Sequence, residues 1–71
     1  VQIYPNPVGG QLVLRTNLFV ENVQVRDMNG RPISCYYNGR SCDTGHLAAG
    51  TYIISVETSD GIWNGKFIKM D

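Results

Sequence analysis

Apolar and polar residues alternate along most of this chain with a period of two. Leu12 and Leu14 share one face, with Val13 opposite. Val23 and Val25 alternate with Gln24 and Arg26, and Tyr52, Ile54 and Val56 alternate with Ile53, Ser55 and Glu57. This is the periodicity of half-buried strands, in which successive side chains point to opposite faces. No window of about ten residues carries a helical stripe; residues 45–49 have room for one short turn before Gly50. Eight Gly and three Pro supply turn signals at intervals of about ten residues, the spacing of a sandwich or barrel. The pattern predicts about seven short strands, near residues 1–4, 11–15, 21–27, 31–37, 40–44, 50–58 and 62–70.

Turn chemistry then suggests registers. At Asp27-Met28-Asn29-Gly30, a two-residue loop would set Ile33 against Arg26 and mix core with solvent. A three-residue loop with Gly30 left-handed pairs Val25 with Ile33 and Val23 with Cys35, and the hydrophobic match selects it. Asn38-Gly39 carries the signature of a two-residue hairpin turn, which would set Tyr36 opposite Ser41 and Cys35 opposite Cys42. Asp60-Gly61 carries it again, which would set Val56 opposite Gly65 and Ile54 opposite Phe67. Tyr4-Pro5-Asn6-Pro7 breaks the first connection, because two prolines remove two ladder donors.

Composition narrows the function classes. The chain has 71 residues, 42% hydrophobic and 17% charged, which is globular composition for one small domain spanning residues 1–71. Six basic and six acidic side chains cancel, so no net field draws in nucleic acid or an anionic membrane. No apolar run approaches the roughly 18 residues of a membrane helix, and no basic and apolar leader opens the chain. Val1 in place of an initiator Met fits a mature domain or a piece of something longer. A chain this short has little area left for a deep pocket, which argues against an independent enzyme and for a binding, structural or targeting module.

Candidate chemistry is sparse. The single histidine, His46, has no nucleophile and acid arranged with it in the sequence, so no catalytic residues are assigned. Cys35, Cys42 and His46 lack a fourth ligand and zinc-finger spacing, so neither a metal nor another cofactor is expected. Asp27, Asp43 and Asp60 sit beside turn residues, where carboxylates commonly accept from backbone amides. The expected hairpin puts Cys35 and Cys42 cross-strand, with Cα atoms about 5 Å apart, within reach of a disulfide and hence an oxidising compartment. Two small core side chains are the alternative. Tyr36, Tyr37 and Trp63 lie near hairpin tips, where rings stack on a sugar or a protein or else cover the core. Tyr4 and Tyr52 are expected in the core, and Arg26, Arg31, Arg40, Lys66 and Lys69 on solvent-facing positions.

The order of short motifs adds to this reading. Ile3-Tyr4-Pro5-Asn6-Pro7 opens the chain, and Val25-Arg26-Asp27-Met28-Asn29-Gly30-Arg31 closes the third strand. Leu47-Ala48-Ala49-Gly50-Thr51-Tyr52 follows, and Gly65-Lys66-Phe67-Ile68-Lys69 stands near the end. The series resembles the type A C-terminal sorting domain of the type IX secretion system. The family's pattern runs YPNP, a strand with D-x-x-G, then L-x-x-G-x-Y and a basic closing strand, and the likeness covers nearly the whole chain. The cysteine pair and the Met70-Asp71 ending depart from that pattern.

The resemblance implies an all-β, immunoglobulin-like antiparallel sandwich of about seven strands. It also implies a transport address without activity of its own. Such a domain directs an N-terminally attached cargo from the periplasm of a Gram-negative, Bacteroidetes-type bacterium, with outer-membrane shuttle components, through the type IX translocon. A sortase-like surface protease then removes it, leaving the cargo on the cell surface or secreted. Tyr4, Pro5, Asn6, Pro7, Asp27, Gly30, Leu47, Gly50 and Tyr52 would be the fold motif. The terminal Lys66, Phe67, Ile68, Lys69, Met70 and Asp71 would be read by the translocon. An exposed sheet edge would also permit dimerisation by strand pairing. The competing reading is an extracellular sandwich that binds glycan or protein through Tyr36, Tyr37 and Trp63.

Overall fold

The computed structural model describes residues 1–70. Its strands are β1 (Gln2–Tyr4), β2 (Gln11–Arg15), β3 (Val20–Asp27), β4 (Pro32–Ile33), β5 (Ser41–Asp43), β6 (Gly50–Thr58) and β7 (Gly61–Lys69). They form a three-stranded sheet in the order β1-β2-β5 and a four-stranded sheet in the order β4-β3-β6-β7, with every strand pair antiparallel. The expected sandwich of about seven strands is the observed one. In immunoglobulin lettering the sheets are ABE and C′CFG, with β6 in the place of strand F.

The alternation read from the sequence sets the core. Leu12 and Leu14 of β2 face Val25 of β3 and Tyr52, Ile54 and Val56 of β6 across the sandwich, with Phe67 of β7 beside them. Val8, Cys42 and Leu47 close the ends of this cluster. Ten buried apolar side chains make one contiguous core, whose transfer from water is the main favourable term of folding.

The three turns differ in how the expectation fared. The loop after β3 is the three-residue one: Val25 pairs with Ile33 and Arg26 with Pro32. Gly30 has φ 84°, and the Asp27 carboxylate accepts from the amides of Asn29 and Arg31, both at 2.9 Å. Strand β4 then stops at Ile33, so Val23 has no cross-strand Cys35. The chain instead crosses to the other sheet, where the Asp43 amide donates to the Tyr36 carbonyl at 2.9 Å and Tyr37 bridges Cys42.

The other two hairpins are displaced by two residues from the expected registers. Asn38 is not in the turn but beside it, accepting through Oδ1 from the amides of Arg40 and Ser41 at 3.0 and 2.9 Å. Among the described residues no non-glycine has a positive φ, so neither Asn38 nor Asp60 adopts the left-handed conformation that a type I′ turn demands at both central positions. At the β6–β7 hairpin Thr58 pairs with Gly61, which sets Ile54 opposite Gly65, Val56 opposite Trp63 and Tyr52 opposite Phe67. The hydroxyl of Thr58 stabilises this turn by donating to the Gly61 carbonyl at 2.9 Å and accepting from the Asp60 amide at 3.1 Å.

Candidate functional site

The terminal strand is the edge of the four-stranded sheet. Its side chains alternate between two environments. Trp63, Phe67 and Lys69 turn inward; Ile62, Asn64, Lys66 and Ile68 turn to solvent. Phe67 is fully buried and stacks on Tyr52, with ring centroids 5.5 Å apart. Lys69, expected on a solvent face, is only 6% exposed and donates from Nζ to the Met70 carbonyl at 2.7 Å. Of the six terminal residues singled out in the sequence, Lys66, Ile68 and Met70 therefore present side chains outward, whereas Phe67 and Lys69 hold the strand in place. Asp71 lies outside the described residues.

Half of this edge is covered by the opening motif. The peptide bonds Tyr4-Pro5 and Asn6-Pro7 are both cis, and the side chain between the prolines reaches β7. Asn6 Oδ1 accepts from the Ile68 amide at 2.9 Å, and Nδ2 donates to the Lys66 carbonyl at 3.3 Å. Two residues on, the Val8 amide donates to the Ile68 carbonyl and the Met70 amide donates to the Val8 carbonyl, both at 2.8 Å. A side-chain amide and one backbone unit thus take the place of a neighbouring strand over residues 66–70. The alternation that aims the backbone of Lys66 and Ile68 outward aims that of Ile62 and Asn64 outward too, and among the described residues no strand lies beside those.

The sequence places Asn6 in the break after the first strand and in the fold motif; its bonds to β7 come only with the structure. The available signal was indirect: a polar side chain held between two residues without amide protons, and a final strand with no later strand to pair with. Gly65 was also missed. A Cβ there would collide with the Trp63 ring, which lies over the glycine and fills the core face that Gly65 leaves bare.

The remaining motif residues occupy the corner before β6. Gly50 has φ 154°, Leu47 is buried, and the Tyr52 hydroxyl donates to the Ala48 carbonyl at 2.6 Å. A tyrosine at the start of strand F that bonds back to the backbone a few residues upstream is the tyrosine corner of immunoglobulin-like sandwiches. Tyr4, by contrast, is 47% exposed: Ile3 takes the inward position of β1 and leaves Tyr4 on the outer face.

The expected Cys35–Cys42 disulfide does not form; both are free thiols. The two-residue displacement of the hairpin sets Tyr37, not Cys35, across from Cys42. Burial, and then the neighbouring Cys35, push the Cys42 thiol up to about 12, far from the range of a reactive thiolate. The three aromatics do not form a stacking platform. Trp63 and Tyr37 pack against the core and only Tyr36 stands exposed. His46 is an exposed loop residue whose Nε2 donates to the Ser34 carbonyl at 2.6 Å. Asp27 and Asp43 accept from turn amides as expected, whereas at Asp60 the Thr58 hydroxyl does so instead.

No curated protein and no solved structure matched the chain. The family model described as the secretion system C-terminal sorting domain matches residues 2–70, which contain the opening motif, the Asp27 turn, the tyrosine corner and the terminal strand. The chain therefore belongs to this family of non-catalytic sorting domains, which engage the type IX secretion machinery and send proteins across the outer membrane to the cell surface or the medium.

Proposed function

We propose that the domain is the address of an N-terminally attached cargo, recognised in the periplasm through β7 and passed with outer-membrane shuttle components through the translocon. A sortase-like surface protease then cuts ahead of Val1. The observation that carries this reading is the family match over residues 2–70. The geometry supports a division of labour within the last strand. Lys66, Ile68 and Met70 are the surface available to a receptor, and Ile68 and Met70 are 48% and 50% exposed. Phe67 and Lys69, together with Asn6, keep that surface in one conformation.

The test is an export assay. Residues 1–71 are fused to the C-terminus of a periplasm-directed fluorescent protein, in a bacterium with a working type IX system and in a translocon-null sibling. Export in the working strain alone is the expected result. Retention of a folded fusion in both strains would sink the reading. The triple variant Lys66→Glu/Ile68→Asp/Met70→Asp, checked for folding by circular dichroism, is expected to block export. Unimpaired export of that folded variant would remove β7 from recognition and leave the sorting role standing.

A further inference from the structure

The pole of the sandwich opposite residues 66–70 carries a surface apart from the terminal residues proposed for recognition. Strand β7 spans nine residues, about 26 Å at the usual strand rise. At its far end the Ser59 amide donates to the Phe19 carbonyl at 3.1 Å, and Gln2 pairs with Arg15. The N-terminus, the 16–19 loop and the β6–β7 hairpin tip therefore gather at one pole. Three open depressions of about 390, 630 and 290 Å³ adjoin there, and Thr16 lines all three.

The chemistry of this band is one-sided. Leu14 and Leu18 form its apolar floor, and Phe19, 71% exposed, stands at its rim. Arg15 and Arg40 each line two of the depressions. Among the described residues neither guanidinium has an ion pair or a hydrogen bond, and no carboxylate lines any of the three. Glu21 follows Val20 in sequence and Asp60 follows Ser59, yet neither enters the lining. In a chain of zero net formal charge this leaves a cationic rim over an apolar floor.

Val1 decides what fits there. It packs against the core and lines the second depression, so any chain joined to it starts at the lip of the band. Such a chain cannot continue the β1–β2 ladder. The last rung is Gln2 with Arg15, and beyond it the Thr16 hydroxyl accepts from the Leu18 amide at 3.1 Å and turns β2 away. A segment tethered at the lip meets the band at an effective concentration in the millimolar range. Weak apolar and charge contacts then suffice, where a free ligand would escape an open groove.

We propose that this groove holds the segment joining the domain to its attached protein, as an extended stretch with carboxylates toward Arg15 and Arg40 and an apolar side chain against Leu18 and Phe19. It rests on the sorting role in one respect, that a protein is attached ahead of Val1. Its consequence is that the domain shields its own linker from proteases until the groove is emptied.

The test uses the full parent chain with its natural segment ahead of Val1, cut by a broad-specificity protease at low concentration. When opening is fast relative to cleavage, cutting follows the open population, so a segment docked four-fifths of the time is cut about fivefold more slowly. That loss of protection is expected in Arg15→Glu/Arg40→Glu, and separately in Phe19→Ser, with the melting temperature of each confirming the fold. A linker cut equally fast in the parent and in both folded variants overturns the proposal. Protection that vanishes on dilution also overturns it, because a second copy would then be the occupant. The readout is independent of export: a protected linker on a protein that is not exported rejects the sorting role alone, and an exported protein with an unprotected linker rejects the groove alone.

Discussion

The two halves of β7 are built on different principles. Residues 66–70 are fixed on the edge by Asn6 and Val8, from the opposite end of the chain, and inside by Phe67 against its β6 partner Tyr52. Residues 61–65 are fixed mostly by their own hairpin, with Thr58 closing the turn and Trp63 lying over Gly65. The first half is tied to residues sixty positions away and the second to hairpin partners no farther than Ile54, opposite Gly65. The end of the strand is thus held more firmly than its beginning. The other half keeps an open edge beside the exposed Ile62.

The largest expected effect breaks the long-range half. Phe67 is fully buried and its ring is stacked on Tyr52, and truncating such a side chain costs about 3–5 kcal/mol. A domain of this size has total stability of a similar order, on the order of 5–10 kcal/mol. Phe67→Ala is therefore expected to leave a substantial unfolded population, read by urea or thermal unfolding. A loss below about 1 kcal/mol would mean that the terminal half does not depend on this contact.

Next comes the local half. Gly65→Ala forces the Trp63 ring off its seat, an overpacking penalty of about 1–3 kcal/mol. Trp63 is the chain's one tryptophan, so its emission reports the event directly. A red shift with a lowered melting temperature is expected; an unshifted spectrum would refute the seat. Asn6→Ala is smaller. It removes two solvent-exposed hydrogen bonds, together worth about 1–2 kcal/mol. Hydrogen exchange separates this from a global effect. The Ile68 amide should lose protection, whereas the Ile62 amide, with no strand beside it, should exchange rapidly in both proteins.

How much of this was legible in the sequence depended on parity. The Asp27 turn could be read because a two-residue loop and a three-residue loop put opposite faces of the partner strand in the core, and only one agreed with Val25 and Ile33. At Asn38-Gly39 and Asp60-Gly61 the competing registers differ by two residues. A shift of two returns every side chain to the same face, so alternation is silent between them, and the decision passes to side chains such as Asn38 and Thr58 that accept turn amides. The false Cys35–Cys42 pairing was one product of that silence. The brace of Asn6 on β7 was beyond any local pattern, since its partners are 60 and 62 residues away. The closing motif was visible as sequence, and either register puts Phe67 and Lys69 on the face of Tyr52, Ile54 and Val56; the expectation of a solvent-facing Lys69 followed its charge against that alternation.

The smallest effect on stability tests the open edge. Ile62 is 66% exposed on the outer face and its backbone points away from β6, so Ile62→Lys is expected to change stability by less than about 0.5 kcal/mol. Solubility is another matter. An unpaired edge carrying an exposed β-branched residue invites pairing with another copy, and a lysine at such an edge is a common deterrent. Lys66 already stands on this strand, but at the boundary of the braced half, where Asn6 occupies its carbonyl. Self-association at high concentration, followed by light scattering, should therefore fall in Ile62→Lys while the melting temperature holds. If association falls equally in Ile68→Lys, where the edge is already covered, the exposed side chains drive it and the open backbone does not.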